Sequence, residues 1–412
     1  MPLPRRRRRP PAPVLLLPLL VASAGLTGCA QEADPNTITV LNSATDQHEH
    51  DQQQKFFDRC AKPLGVKVEQ TSVPAAQVAT KALRMASSHS MTDILELDGS
   101  ELPQFADTGG LVPLKTAGVR VDGLSPGAVS MGSFKGTAYG IARSVNTLAL
   151  FYNTDVLKEA GVAPPTTWDE LKVAAKKLTR GKTFGMAFSA TPDADGVYQF
   201  LPFFWSAGGD EAHIDNGKGE KAVQLWKDLV KDRSASSAVV TWNQQDVNDQ
   251  FIAGRTAMMV NGPWQVPVLS QHKSLHWAVT TIPVPEAGKA PVAPMGGTVM
   301  TLPRTGDTGR QATAAKILNC LNERKNQVGW GAGVNNIPTR ASAAAEYKAD
   351  NPKLAGFADT VATARSRTAK VGARWPAVSN ALAGAFQSVL TGSSSPEAAL
   401  KRAQSQATAG GE

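Results

Sequence analysis

The sequence predicts an α/β protein built as two sheet-containing lobes, each a mostly parallel, doubly wound sheet with helices on its faces. Three observations carry this. Short β-rich runs alternate with amphipathic helical stretches from residue 37 onward, the pattern that yields parallel sheets with helical crossovers. The 412 residues exceed what one hydrophobic core usually organises. The composition, 42% hydrophobic and 19% charged with 36 Gly and 27 Pro, excludes a disordered chain, a coiled coil and a collagen-like repeat.

The elements follow in order. Thr37-Ile-Thr-Val-Leu-Asn42 is a β-rich run. Residues 46–60 place Phe56, Phe57 and Cys60 at helical spacing. Val66–Val73 alternates as a strand, and residues 75–87 put Val78, Ala82, Met85 and Ala86 on one helical face. Asp93–Leu97 is the next strand, broken by Asp98-Gly99. Tyr139–Arg143 and Leu148–Tyr152 are further strand candidates. Thr167-Trp-Asp-Glu170 fits a capping box, with Trp168, Leu171, Ala175 and Leu178 forming the apolar stripe of the helix it opens. Residues 220–231 read as another amphipathic helix, and Phe200–Gly209 is dense in aromatic rings. No repeat of 20–50 residues is visible, which argues against a solenoid.

The N-terminus reads as an address. Arg5–Arg9 precede the apolar run Val14–Gly25, a charged start and short apolar core typical of a secretory signal. The run is too short for a membrane span of ~20 residues. It ends in Leu26-Thr-Gly-Cys29, which resembles a bacterial lipobox with Cys29 as the lipidated residue. The alternative is a plain signal peptide cut elsewhere, leaving Cys29 free. Residues 1–28 are thus the signal and 29–36 a lipidated tether, which places the protein on the outer face of the cell membrane; the arginines leave Sec or twin-arginine export open. The formal charge is +8, but residues 1–28 hold five arginines and no Lys, Asp or Glu. The excess is therefore in the signal, and no nucleic-acid partner is expected. Cys60 and Cys320 remain, either bridged, as an oxidising compartment permits, or two buried thiols.

Signatures of catalysis are missing: the sequence has no G-x-S-x-G, H-E-x-x-H, Walker A or C-x-x-C. His48-Glu-His-Asp51 is the one cluster with metal chemistry in it, but i and i+2 point apart on a helix. No metal and no cofactor is expected, and the reading is of a non-enzyme.

Ser144-Val-Asn-Thr-Leu-Ala-Leu-Phe-Tyr-Asn153, Pro164–Leu171 and Phe251-Ile-Ala-Gly-Arg-Thr-Ala-Met-Met-Val-Asn-Gly-Pro-Trp264 carry a resemblance. So do Asp93–Gly99, Phe105–Leu114, Met295–Leu302 and Ile337–Arg340. Together they resemble extracellular solute-binding proteins of family 1, the maltose-binding-protein-like receptors of ABC sugar importers. That resemblance implies a two-lobe, type II periplasmic-binding-protein-like fold with the ligand cleft between the lobes. It places lobe 1 at 37–144 plus 297–337, lobe 2 at 149–293 plus 341–405, and a C-terminal tail at 406–412. Crossings fall near Ser144–Leu148, Pro294–Gly297 and Ile337–Arg340. Cys60 and Cys320 then share a lobe.

Ligands of open α/β sheets bind beyond the carboxyl ends of the strands. That points to Asn42, Ser43, Asp98 and the Asn146 region. Trp264 matches the family's stacking aromatic, with interior packing as the alternative. Tyr198 and Trp205 lie in a segment resembling a ligand-facing one, and either belongs to the cleft or to the core. Arg374 resembles part of a late segment returning to the cleft; it donates to hydroxyls or pairs with a surface acid. Gly296 and Gly297 allow close backbone approach or serve only the crossing. The implied function is a monomeric lipoprotein receptor for a mono- or oligosaccharide, with ABC permease transmembrane subunits as partners. An exported sugar sensor or adhesion protein on the same fold, or a glycan-active enzyme, are the alternatives.

Overall fold

The computed structural model describes residues 34, 36–45 and 47–409. The expected signal, Cys29 and most of the tether lie outside the described residues. Among the described residues no helix is long and apolar enough to cross a membrane, and no group of three His, Cys, Asp or Glu side chains could hold a metal ion.

Strand β1, Thr37–Asn42, is buried along nearly its whole length and accordingly interior to its sheet. It pairs in parallel with β2, Lys67–Ser72, and with β3, Ile94–Asp98. Helices α1, Gln47–Ala61, and α2, Ala75–Ser87, supply the crossovers. The first sheet is completed by Thr298–Thr301, antiparallel to β3, and by Gly140–Ile141. Its order is β2-β1-β3 followed by these two late and middle strands. The second sheet runs Trp277–Thr280, Ala149–Asn153, Thr256–Asn261, Phe184–Ala187. Ala149–Asn153 is antiparallel to both its neighbours, and Thr256–Asn261 is parallel to Phe184–Ala187.

Both sheets are therefore more mixed than "mostly parallel". The reason is geometric. β3 runs toward the crossing and stops at Asp98, whereas Thr298–Thr301 starts there, directly after Gly297, and pairs Thr298 with Asp98. A strand that enters from the other lobe must run the opposite way. The three expected crossing segments are laced to one another: Ile337 pairs with Val145, Pro338 with Ser144, and Asn146 bridges Gly296. Thr147 Oγ1 adds a hydrogen bond to the Pro294 carbonyl at 2.8 Å.

The first sheet packs Ile38, Val40 and Ile94 against Phe56 and Phe57 of α1 and Ile317 and Leu318 of the Thr308–Leu321 helix. Cys60 and Cys320 form a disulfide across these two helices, with Cα atoms 5.7 Å apart. The second lobe centres on Phe200, Trp226 and Phe386, with ring centroids 5.1 to 5.6 Å apart around Trp226 and Phe200. This is why the 200–209 stretch is so aromatic: the Ala194–Ser206 helix runs through the middle of that core. Each such ring stabilises the fold by about 1.5–3 kcal/mol on burial. The Thr167 capping box forms as the sequence predicts, with Thr167 Oγ1 accepting from the Glu170 amide and Glu170 Oε2 from the Thr167 amide. One boundary differs. The last helix runs Pro396–Ala409 and buries Ala407, so residues 406–409 continue a packed helix and are not tail.

Candidate functional site

Between the two sheets lies a cavity of about 410 Å³, within the ~300–1,000 Å³ usual for small-molecule sites. Three grooves are larger, two of about 580 Å³ and one of about 440 Å³. None collects residues from the strand ends of the first sheet and the crossing segments, as this cavity does. Its lining includes Asp98, Asn146, Tyr198, Trp264, Gly296 and Gly297, six of the positions singled out from the sequence. A smaller space of about 310 Å³ shares Asn146 and Trp264 with it and continues toward His48, Gly333 and Asn336. Trp264 thus stands between two chambers.

Each of these residues is placed by its local sequence. The strand Thr256–Asn261 ends where Asn261 Oδ1 accepts from the Gly262 amide at 3.0 Å, and Pro263 opens a single 3-10 turn that carries Trp264. The indole folds back over Gly262 so closely that a Cβ there would lie 1.9 Å from the ring. The Trp264 ring stands 6.4 Å from that of Tyr198, tilted by 46°, and is only partly buried. Tyr198 is 7% exposed; its hydroxyl donates to Asn146 Oδ1 at 3.1 Å. Burial pushes its phenol well above the usual range, so it stays protonated. Gly296 is required by the same contact, since a Cβ would meet the Tyr198 hydroxyl at 2.2 Å and Asn146 Oδ1 at 2.3 Å.

Asp98 closes β3. Its Oδ1 accepts from the Ser100 amide at 2.8 Å and the Ser100 hydroxyl at 2.6 Å, and Arg367 Nη2 donates to Oδ1 and Oδ2 at 2.7 and 2.9 Å. Burial alone would raise this carboxyl; Arg367 and Ser100 together outweigh it and hold Asp98 below the usual carboxylate range. Glu101 goes the other way. Burial, and the charge of Asp98 next to it, push it up to about 7 against the opposing pull of Arg367. The lining thus offers a fixed anion, a carboxyl that titrates near neutrality, the amides of Asn146 and Gln244, and the rings of Tyr198, Trp264 and Trp375. That set can cover an apolar face and bind a rim of hydroxyls at once.

Four expected residues stand elsewhere. Asn42 is fully buried: its Oδ1 accepts from Ala44 and Ser72, and its Nδ2 donates to Gln70. These partners all lie within the first lobe. Ser43 follows it and does not line the cavity. Trp205 is 4% exposed, with its indole N–H on Glu211 at 2.9 Å and Arg365 over its face; it is a core residue. Arg374 is exposed on the turn before the Trp375–Leu390 helix; the next residue, Trp375, lines the cavity instead. The His48-Asp51 cluster lies along α1, where His48 Nε2 bonds the Gly333 carbonyl at 2.8 Å. Sequence reasoning missed Arg367, Glu101, Gln244 and Trp375. Trp375 had a signal, lying one residue from the chosen Arg374; Arg367 had none, because only the fold brings it to Asp98.

The model of the bacterial extracellular solute-binding proteins matches residues 55–356. A probable ABC transporter-binding protein of Deinococcus radiodurans is 26% identical over 418 aligned positions, covering 93% of this chain and 97% of its own. A maltooligosaccharide ABC transporter solute-binding lipoprotein of Streptococcus pneumoniae is 24% identical, covering 71% and 70%. Among solved structures, the cyclic α-maltosyl-1,6-maltose binding protein of Arthrobacter globiformis superposes with a TM-score of 0.79 at 24% identity, over 92% of this chain and 99% of that one. The GacH receptor of Streptomyces glaucescens, solved unliganded and with acarbose, gives 0.76 at 25% identity over 90% and 97%. With its two sheets, laced crossings and matching model, the chain belongs to the bacterial extracellular solute-binding proteins.

Proposed function

We propose that this chain is the substrate-binding component of an ABC-type carbohydrate importer, capturing a mono- or oligosaccharide between its lobes and presenting it to a membrane permease. The observation that carries the reading is the cavity in which Trp264, Tyr198 and Trp375 meet Asp98, Asn146 and Gln244. Rings suit the CH faces of a sugar, and the polar groups suit its hydroxyls. The relatives named for maltooligosaccharide and maltose-type ligands support carbohydrate as the class. The adjoining chamber past Trp264 favours a ligand longer than one ring. The lipobox-like Leu26–Cys29 supports anchoring through Cys29, with the protein acting as a monomer on the outer face of the membrane.

Isothermal titration and melting shifts with glucose, maltose, maltotriose and acarbose test this. Ligand at 100 times Kd stabilises by about 2.7 kcal/mol. A rise in melting temperature with at least one of these is expected. No shift with any of them, but one with a peptide or glycerophosphodiester, would replace the carbohydrate assignment. Fractionation of cells expressing Cys29→Ser tests the anchor: the variant is expected in the soluble exported fraction, and retention in the membrane would refute lipidation at Cys29.

A further inference from the structure

One ion pair spans the cleft. The segment Arg365–Arg374 is fastened to the second lobe: Arg365 pairs with Glu211 and lies over the Trp205 ring at 4.3 Å, and Lys370 pairs with Asp210 at 2.6 Å. It then enters the Trp375–Leu390 helix, whose Val378, Leu382 and Phe386 sit in the second-lobe core. Arg367 itself lies 5.2 Å over the Tyr198 ring with 8% of its side chain exposed. Its guanidinium nevertheless closes on Asp98, at the end of β3 in the first sheet. Asp98 is fixed there by Ser100. Around this pair the chain also approaches the first lobe: a Cβ at Gly372 would meet Phe134 at 3.6 Å, and one at Gly127 would meet the carbonyl of Ala364, the residue before the segment, at 3.6 Å.

We propose that Arg367 is a positioning residue that latches the first lobe to the second through Asp98 without ligand, biasing the empty receptor toward the arrangement in which both walls of the cavity face each other. Both ends of the pair are rigidly held, so opening the lobes must separate two charges, one of them buried. A charge left without its partner in a poorly solvated place is costly, and a two-state equilibrium responds to any such difference between its states. The inference depends on the two-lobe architecture and not on the identity of the ligand.

The test is a distance measurement on ligand-free protein. In the full chain carrying Cys29→Ser, cysteines introduced at Leu83 in α2 and at Val173 in the Trp168–Leu178 helix, both exposed, accept spin labels; Cys60 and Cys320 are bonded to each other. Pulsed electron spin resonance then reads the lobe-to-lobe distances. Arg367→Met and Asp98→Asn are each expected to raise the long-distance population by about threefold or more, with Arg367→Lys in between. Should Arg367→Met fail to fold, Asp98→Asn, which preserves shape, decides. Parent-like distances in folded variants, even with a lowered melting temperature, would show a merely structural pair and overturn the latch.

Discussion

The two walls of the cavity are chemically unlike. The first lobe presents Asp98, Ser100, Glu101 and Thr298, all at or just beyond strand ends. The second presents the rings of Tyr198, Trp264 and Trp375, which extend outward from its aromatic core, with Asp195, Gln244 and Arg367 beside them. Hydrogen-bonding groups on one side are held by strand termini and a short turn, so their directions are fixed. Rings on the other side are held by packing, so their planes are fixed. A sugar needs both: rings for its apolar face and polar groups for its rim of hydroxyls. The difference teaches that the lobes are not interchangeable: the first supplies no ring to the lining, and the second supplies all three.

The largest way to sharpen the contrast acts on one lobe only. Among the described residues only the first lobe carries a disulfide, Cys60–Cys320, whose partners are 260 positions apart. Removing it with Cys60→Ala and Cys320→Ala is expected to cost about 2–4 kcal/mol. Calorimetry should then show the transition lowered by at least about 5 °C, with amide exchange raised in α1 and Thr308–Leu321 but not around Trp226. Equal loss of protection in both lobes would mean that they unfold as one.

Next comes the aromatic wall. Trp264→Ala is expected to weaken binding of a bound probe sugar at least about tenfold, or ~1.4 kcal/mol, with little change in ligand-free stability; Trp264→Phe should recover part. Titration calorimetry beside a melting curve checks both. A variant that melts several degrees lower yet binds normally would make the ring part of the core. Gly262→Ala tests the same ring without touching it. The new methyl would occupy the place of the indole, so the ring must swing away, and an affinity loss of about threefold to tenfold is expected. Unchanged affinity would mean that the ring's seat on Gly262 is irrelevant.

The smallest effect lies on the polar wall. Glu101 titrates near 7 in the folded protein, well above the 4.5 of a free glutamate. The native state therefore holds this proton more tightly than the unfolded chain, and stability falls as pH rises from about 4.5 to about 7, with the penalty complete above that. Glu101→Gln should remove this part of the slope and melt slightly higher than the parent at pH 8, with no advantage at pH 4. Parallel melting curves across that range would contradict the assignment.

What was legible in the sequence follows the same physics. Periodicity revealed β1 to β3 and their helices, because each has one dominant local pattern. Trp264 and Gly296, which line the cavity, were reached through the family resemblance, with Gly-Pro-Trp and Gly-Gly as the local marks of a turn and of close backbone approach. Trp205 misled: an aromatic run does not say which ring faces out, and Glu211, which receives its N–H, is six residues away. Asn42 misled too, since a polar residue at a strand end satisfies neighbours such as Ser72 and Gln70 as readily as a ligand. Arg367 was invisible because its partner is 269 positions away.

The strand Thr298–Thr301 has a consequence for biogenesis. It sits between β3 and Gly140–Ile141, so two pieces of chain made early wait for a third made more than 150 residues later. The whole second sheet, from Ala149 to Thr280, is delivered in the meantime. A nascent or secreted chain can thus finish its C-terminally inserted lobe's sheet before the N-terminal one has its connecting strand. Of the two large sheets, the first, although it comes first in the chain, is the later to be completed, and the disulfide must wait still longer, until Cys320 has emerged.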